Sequence, residues 1–233
     1  RGSKDEENKT IQSDNVPRHI AIIMDWNGRW ARQHGMPRIA GHRAGMKNVK
    51  KIAMAADELG IQVLTLYAFS TENWQRPKEE VDFLMSLPQE FFPLEIQELK
   101  EKNVRIRMMG DRNGLPEHTL KTVDAAIEET KNNTGLILNF ALNYGGRQEL
   151  LMGMKKFAEE VRLGKRNVDE LNETLFQNYL QSSGLPELDL LIRTSGEIRI
   201  SNFMLWQLAY TELWFTNVFW PDFSKEHFLE AIR

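Results

Sequence analysis

The sequence predicts an α/β domain built on a central, mostly parallel six-stranded sheet flanked by helices. Three observations carry that prediction. Short runs rich in Ile, Val and Leu alternate with stretches of helical periodicity along the whole chain. Several of the runs stop abruptly at a cluster of polar and turn-forming residues. A length of 233 residues, 41% of them hydrophobic, suits one domain with a real core.

The same composition excludes whole classes of function. A formal net charge of −3 argues against a general nucleic-acid binder, so an anion site must come from arginines gathered locally. No cysteine is present, which removes disulfides, thiolate zinc sites and thiol nucleophiles and suits the cytoplasm. No apolar run approaches the ~18 to 20 residues that span a bilayer. Residues 1–16 are polar and aperiodic, with Arg1-Gly2-Ser3 reading as a tag remnant; they are expected to be disordered, leaving 17–233 as a single domain.

The elements follow in order. His19 to Ile23 is a strand that stops at Asp25-Trp26-Asn27-Gly28-Arg29, where Asn27-Gly28 permits a sharp turn and Asp25 either lines a cavity or caps the next helix. Met46, Val49, Ile52, Ala53, Ala56 and Leu59 give a helix from Gly41 to Gly60. Gln62 to Phe69 is the second strand, delivering Ser70-Thr71-Glu72-Asn73-Trp74-Gln75-Arg76 to its end. Lys78 to Lys102 is an unusually apolar helix that Pro88 and Pro93 should kink or break; its apolar faces suit core, a dimer contact or a ligand wall.

Strands at Val104 to Met109 and Leu136 to Leu142 bracket a helix from Glu117 to Lys131. Helices near Gln148 to Leu163 and Asn172 to Gln181 precede a strand at Asp189 to Ile192, which ends at Arg193-Thr194-Ser195-Gly196-Glu197. Ser201 to Gln207 reads as helix, Glu212 to Phe215 as strand and Lys225 to Ile232 as a closing helix. Parallel sheets take ligands at the carboxyl ends of their strands. Asp25, Ser70, Asn143 and Arg193 each follow a strand, so one rim gathers the polar clusters.

That rim is rich in arginine. Arg29, Arg38, Arg76, Arg193 and Arg199 offer guanidinium forks that match diphosphate oxygens, although any one of them taken singly suits a surface ion pair. Asp25 supplies a hard oxygen of the kind magnesium takes together with substrate phosphates, and Glu212 is a candidate second carboxylate or a partly buried acid paired with an arginine. His42, near the expected helix start, either donates to phosphate or is structural. Met46, Val49, Leu84, Met85 and Leu87, with Ala68 and Leu136, could wall a dry tunnel.

The run from His19 to Ala31, H-I-A-I-I-M-D-W-N-G-R-W-A, closely resembles the signature of bacterial cis-prenyltransferases of the undecaprenyl diphosphate synthase type. Blocks at 37–42, 65–74, 139–147, 191–197, 199–203 and 220–223 extend the resemblance, in order, over about residues 18–233. Trp26 departs from it, standing where the family ordinarily has glycine. Its indole either fills part of the phosphate loop and impairs it, or swings outward. Ile198 stands where some relatives carry a polar residue, and no paired Asp-Asp-x-x-Asp motif of the trans-type synthases is present.

The resemblance implies sequential cis-condensation of isopentenyl diphosphate onto farnesyl diphosphate, giving undecaprenyl diphosphate. Asp25 would bind Mg2+ and help the allylic diphosphate leave. Trp26, Asn27, Gly28, Arg29, Trp30, Arg38 and His42 fall in the block that holds that diphosphate. Arg193, Arg199, Ile200 and Ser201 belong to the isopentenyl diphosphate side. Glu212 would reach the metal from the partner subunit of a homodimer. Ser70, Thr71, Glu72, Asn73, Trp74 and Arg76 would order around the substrates, Asn73 in the position assigned as proton acceptor. A neutral amide is a weak base, so Asn73 could instead orient a diphosphate oxygen that takes the proton. The product would partition to the membrane from an enzyme at its inner face. Two other readings are a catalytically silent prenyl-diphosphate-binding partner of the same fold, and a phosphohydrolase with Asp25 as nucleophile.

Overall fold

A computed structural model of the chain describes residues 16–24 and 27–233. Six strands, β1 (His19–Ile23), β2 (Val63–Ser70), β3 (Arg105–Met109), β4 (Ile137–Tyr144), β5 (Leu190–Arg193) and β6 (Glu212–Phe215), form one sheet in the order β3-β4-β2-β1-β5-β6. Every neighbouring pair is parallel. All five residues of β1 are buried, as expected of a central strand covered on both faces. Ile23 is paired with Tyr67 on one side and Arg193 on the other, so β1 and β5 end together beside β2. The chain leaves β1 toward β2 and later returns to its other side as β5. Such a reversal opens a crevice at the carboxyl ends of the strands.

The helices are α1 (Asn27–Gln33), α2 (Arg38–Glu58), α3 (Lys78–Glu101), α4 (Glu117–Thr130), α5 (Gly146–Arg162), α6 (Glu173–Gln177) and α7 (Lys225–Ile232). Ile20, Ile22, Leu64 and Leu66 point to one face of the sheet and pack with Val49, Ile52 and Ala56 of α2 and Met85, Phe91 and Phe92 of α3 in the main core. Ala21, Ile23, Tyr67, Ala141 and Leu191 point to the other, where Leu188, Phe203 and Met204 cover them.

Several expectations need correction. α2 begins at Arg38 rather than Gly41, so His42 sits a full turn inside the helix and not at its positive end. Pro88 and Pro93 do not break α3, which runs continuously through both. Each proline removes one intrahelical hydrogen bond, but Val81, Met85, Leu87, Phe91, Phe92 and Leu99 are all buried, and that packing prevails. Residues 201–206 form turns rather than a helix, followed by a short 3-10 helix at Gln207–Tyr210. The helix expected at 172–181 is a single turn and a half, Glu173–Gln177. Val16, placed in the disordered segment, packs against the core.

Candidate active site at the carboxyl edge of the sheet

A cavity of about 500 Å³ opens where β1, β2 and β5 end. Its walls are two-natured. Met46 and Val49 of α2, Leu84 and Leu87 of α3, and Ala68 of β2 make an apolar side. Asn27, His42, Ser70, Glu72, Asn73, Arg76, Arg193, Arg199, Ser201 and Asn202 supply the polar one. Met85 and Leu136, also expected in the apolar wall, do not line it; both are packed into the core at 2% exposure.

Asp25 and Trp26 lie outside the described residues, while Met24 and Asn27 on either side both line the cavity. Asn27 is seated in a notch of α2 made by Gly41 and Gly45, one turn apart. A β-carbon at Gly41 would run into the Asn27 carbonyl, and one at Gly45 into its side-chain amide. The buried Oδ1 of Asn27 has no hydrogen-bond partner among the described residues. A buried polar oxygen in that state costs free energy unless a ligand meets it.

Arg193, at 3% exposure, ends β5 and reaches across to the 199–201 segment. Its Nη1 donates to Oγ of Ser201 at 2.7 Å and to the carbonyl of Arg199. A guanidinium held this way is already aimed before any anion arrives. Beside it, the Tyr67 hydroxyl donates to the carbonyls of Tyr144 (3.2 Å) and Ser201 (3.3 Å), and its ring stacks on Phe203 at 4.1 Å.

Glu80, which nothing in the sequence analysis singled out, organises the remaining cations. Its Oε1 accepts from Arg76 Nη1 at 2.9 Å and lies 3.1 Å from His42 Nε2, while Oε2 accepts from Arg38 at 3.0 Å. Burial alone would push the Glu80 carboxyl up; the hydrogen bonds from Arg76, Arg38 and His42 outweigh it and hold it below the usual range. Burial lowers His42 more than Glu80 raises it, so the imidazole stays neutral and donates through Nε2–H. The only hint in the sequence was an acidic pair, Glu79-Glu80, in the first turn of a helix.

The turn after β2 is closed by its own side chains. Asn73 Oδ1 accepts from the Ser70 amide at 2.9 Å, and Trp74 Nε1 donates to Asn143 Oδ1 at 2.8 Å with its ring edge-on to Phe69. Asn73 therefore faces the cavity with its amide already engaged, which suits an orienting group better than a base.

Other expected site residues lie off the cavity. Arg29 pairs with Glu197 at 3.2 Å, Trp30 Nε1 donates to Asp222 at 2.9 Å, and Arg38 is turned toward Glu80. Gly28, Thr71, Trp74 and Ile200 do not line it either. Glu212 starts β6 opposite Leu190, at the far end of β5 from Arg193, and is exposed; this chain cannot bring it to its own cavity. No group of three or more His or acidic residues able to hold a metal occurs among the described residues. Magnesium ordinarily takes one or two carboxylates and completes its shell with phosphate and water, and the unpartnered Asn27 oxygen is a donor of the right hardness for it.

A family profile described as putative undecaprenyl diphosphate synthase matches residues 23–233. The chain belongs to that family of cis-prenyltransferases. Among its relatives in this prenyltransferase family, the isoprenyl transferase of Bacillus subtilis (strain 168) is 57% identical over 222 residues, 95% of this chain and 85% of that one. The isoprenyl transferase of Geobacillus kaustophilus (strain HTA426) is 58% identical over 93% of this chain and 84% of its own. The structure of lavandulyl diphosphate synthase from Lavandula x intermedia, in complex with dimethylallyl diphosphate, superposes with a TM-score of 0.92 at 36% identity, covering 94% of this chain and 95% of that one. A probable undecaprenyl diphosphate synthase from Campylobacter jejuni superposes at 0.76 with 32% identity, covering 94% of each chain. The prenyltransferase resemblance and the six-stranded fold read from the sequence are thus both borne out.

Proposed function

We propose that this cis-prenyltransferase adds isopentenyl diphosphate repeatedly to farnesyl diphosphate and releases undecaprenyl diphosphate, a lipid-carrier precursor for cell-wall polysaccharide. One observation carries the reading: a single cavity joins a cationic, hydrogen-bonding edge to an apolar space between α2 and α3. Diphosphates would bind the edge and the growing chain would occupy the apolar side as a tunnel.

In this reading Arg193, with Arg199 and Ser201, holds isopentenyl diphosphate, while Asn27, Arg76 and His42 face the allylic diphosphate. As the allylic carbon–oxygen bond breaks, negative charge grows on the departing oxygens, and donors fixed beforehand stabilise that state more than the ground state. Fixing both substrates removes the entropic barrier to their encounter. Mg2+, held by Asp25 and diphosphate oxygens, would supply charge neutralisation of the leaving group. Asn73 orients the diphosphate oxygen that receives the proton lost on condensation. Glu212 contributes from the second copy of a homodimer. No helix among the described residues is long and apolar enough to cross a membrane, so the product would pass to the bilayer from an enzyme that visits its inner face.

The test is incorporation of radiolabelled isopentenyl diphosphate with farnesyl diphosphate and Mg2+, the products being resolved by length. Chains of eleven isoprene units support the proposal; phosphate release without chain growth points to a hydrolase and overturns it. Trp26→Gly is assayed in parallel. Turnover that appears only in that variant assigns the defect to the indole, and none in either protein favours the silent-partner reading.

A further inference from the structure

The segment after Arg199 is bent in a way side chains resist. Ser201 (φ 46°), Asn202 (φ 60°) and Met204 (φ 48°) all sit in the left-handed region. Runs of such residues persist only where surrounding contacts fix them. Asn202 supplies three of those contacts. Its carbonyl accepts from the Gly146 amide at 2.7 Å and its Oδ1 from the Arg147 amide at 3.0 Å, tying it to the first turn of α5. Its Nδ2 donates to Glu72 Oε1 at 3.2 Å, tying it to the 71–75 turn. The residue before it, Ser201, is held by Arg193 and Tyr67. Glu72 and Asn202 both line the cavity.

We propose that Asn202 is a positioning residue that couples the two halves of the site. Its amide bridges the turn that carries Asn73 to the arm that carries Arg199 and Ser201, so an anion settling on that arm also orders the turn. The inference rests on the proposed reading of that arm as the isopentenyl diphosphate side. Only an amide of this length serves both neighbours: it accepts from the Arg147 amide and donates to the Glu72 carboxylate. A carboxylate keeps the first bond and loses the second, and glutamine is one methylene too long.

The test exchanges donor and acceptor. Asn202→Asp sets two carboxylates face to face, and Glu72→Gln added to it restores a hydrogen bond of reversed direction. Hydrogen–deuterium exchange over residues 70–76 is followed with and without inorganic pyrophosphate or isopentenyl diphosphate, alongside kcat and KM for the latter. In the parent protein either anion should slow exchange in this segment; Asn202→Asp should abolish that slowing and raise KM about tenfold, and the double variant should recover both to within about threefold. No slowing in the parent, slowing that survives Asn202→Asp, or a double variant no better than the single one overturns the coupling. Should the parent incorporate no isopentenyl unit while the exchange pattern holds, the substrate reading fails and the coupling stands.

Discussion

Arg76 and Glu80 are four residues apart and joined by a 2.9 Å ion pair whose two side chains are 14% and 8% exposed. The carboxylate also holds Arg38 and His42, so it fixes where these three side chains point before a substrate anion arrives. Glu80→Gln keeps the shape and removes the charge. Hydrogen bonds to charged groups contribute about 1.5–3 kcal/mol, and Arg38 is half exposed, which discounts its share. The expected outcome is a loss of about tenfold in kcat/KM for the allylic diphosphate and a melting temperature lower by about 3–6 °C. Steady-state kinetics and a thermal scan check it; an unchanged kcat/KM would show that the cluster only braces α2 against α3.

Arg193 uses one nitrogen to hold both Ser201 Oγ and the Arg199 carbonyl. Lysine carries the charge but not the planar fork. Arg193→Lys should therefore raise KM for isopentenyl diphosphate by about 100-fold, whereas Ser201→Ala, which removes only the contact to Oγ, should raise it by about three- to tenfold. Similar KM values for the two variants would mean that the charge alone matters.

How far these features could be read in advance depends on whether their cause is local. The strands were legible because a central parallel strand must be apolar on both faces, and β1 and β2 are. The closing helix was legible to the residue, its start fixed by Ser224, which accepts from the His227 amide at 3.2 Å. Glu80 was not, because an acid in the first turn of a helix ordinarily faces water; beyond the local Arg76, its partners Arg38 and His42 arrive only when α3 crosses α2. Ser201 to Gln207 has helical spacing of apolar residues, yet the bonds from Gly146 and Tyr67 that bend it lie far away in sequence. The rim of polar clusters was foreseeable in outline, with Ser70 and Arg193 at strand ends. Which arginines face inward was not: Glu80 holds both Arg38 and Arg76, and Glu197 both Arg29 and Arg199, yet only Arg76 and Arg199 of these four line the cavity.

Acid should loosen the fold through His19. The ring is 1% exposed, with Nε2 2.7 Å from Thr65 Oγ1 and Nδ1 3.0 Å from the Pro186 carbonyl. Burial pushes its pKa down to about 4 despite that carbonyl and Asp189. Between the ordinary histidine value and about 4 the unfolded chain binds a proton that the folded one refuses, so stability falls as pH falls through that window and levels off for this group below it. The full effect is about 3 kcal/mol. Denaturant midpoints from pH 7 to pH 4 should show the slope in the parent and a shallower one in His19→Gln; parallel slopes would remove His19 as the cause.

The notch in α2 ties packing to chemistry most directly. Gly41 meets the Asn27 carbonyl, and Gly45 its side-chain amide, so closely that neither can carry a β-carbon without movement. The two differ in what must move. Gly45→Ala can be met by rotating the Asn27 side chain, whereas Gly41→Ala has to push the backbone at the start of α1 away from α2. Because that backbone leads directly out of the strand end at Ile23 and Met24, the displacement reaches the edge where a diphosphate would sit. Gly41→Ala should thus lower kcat/KM by about 100-fold or more, and Gly45→Ala by about tenfold, with alanine gaining in helix propensity in both. If the two variants lose activity equally, the backbone approach of Asn27 to Gly41 is not what positions the diphosphate edge.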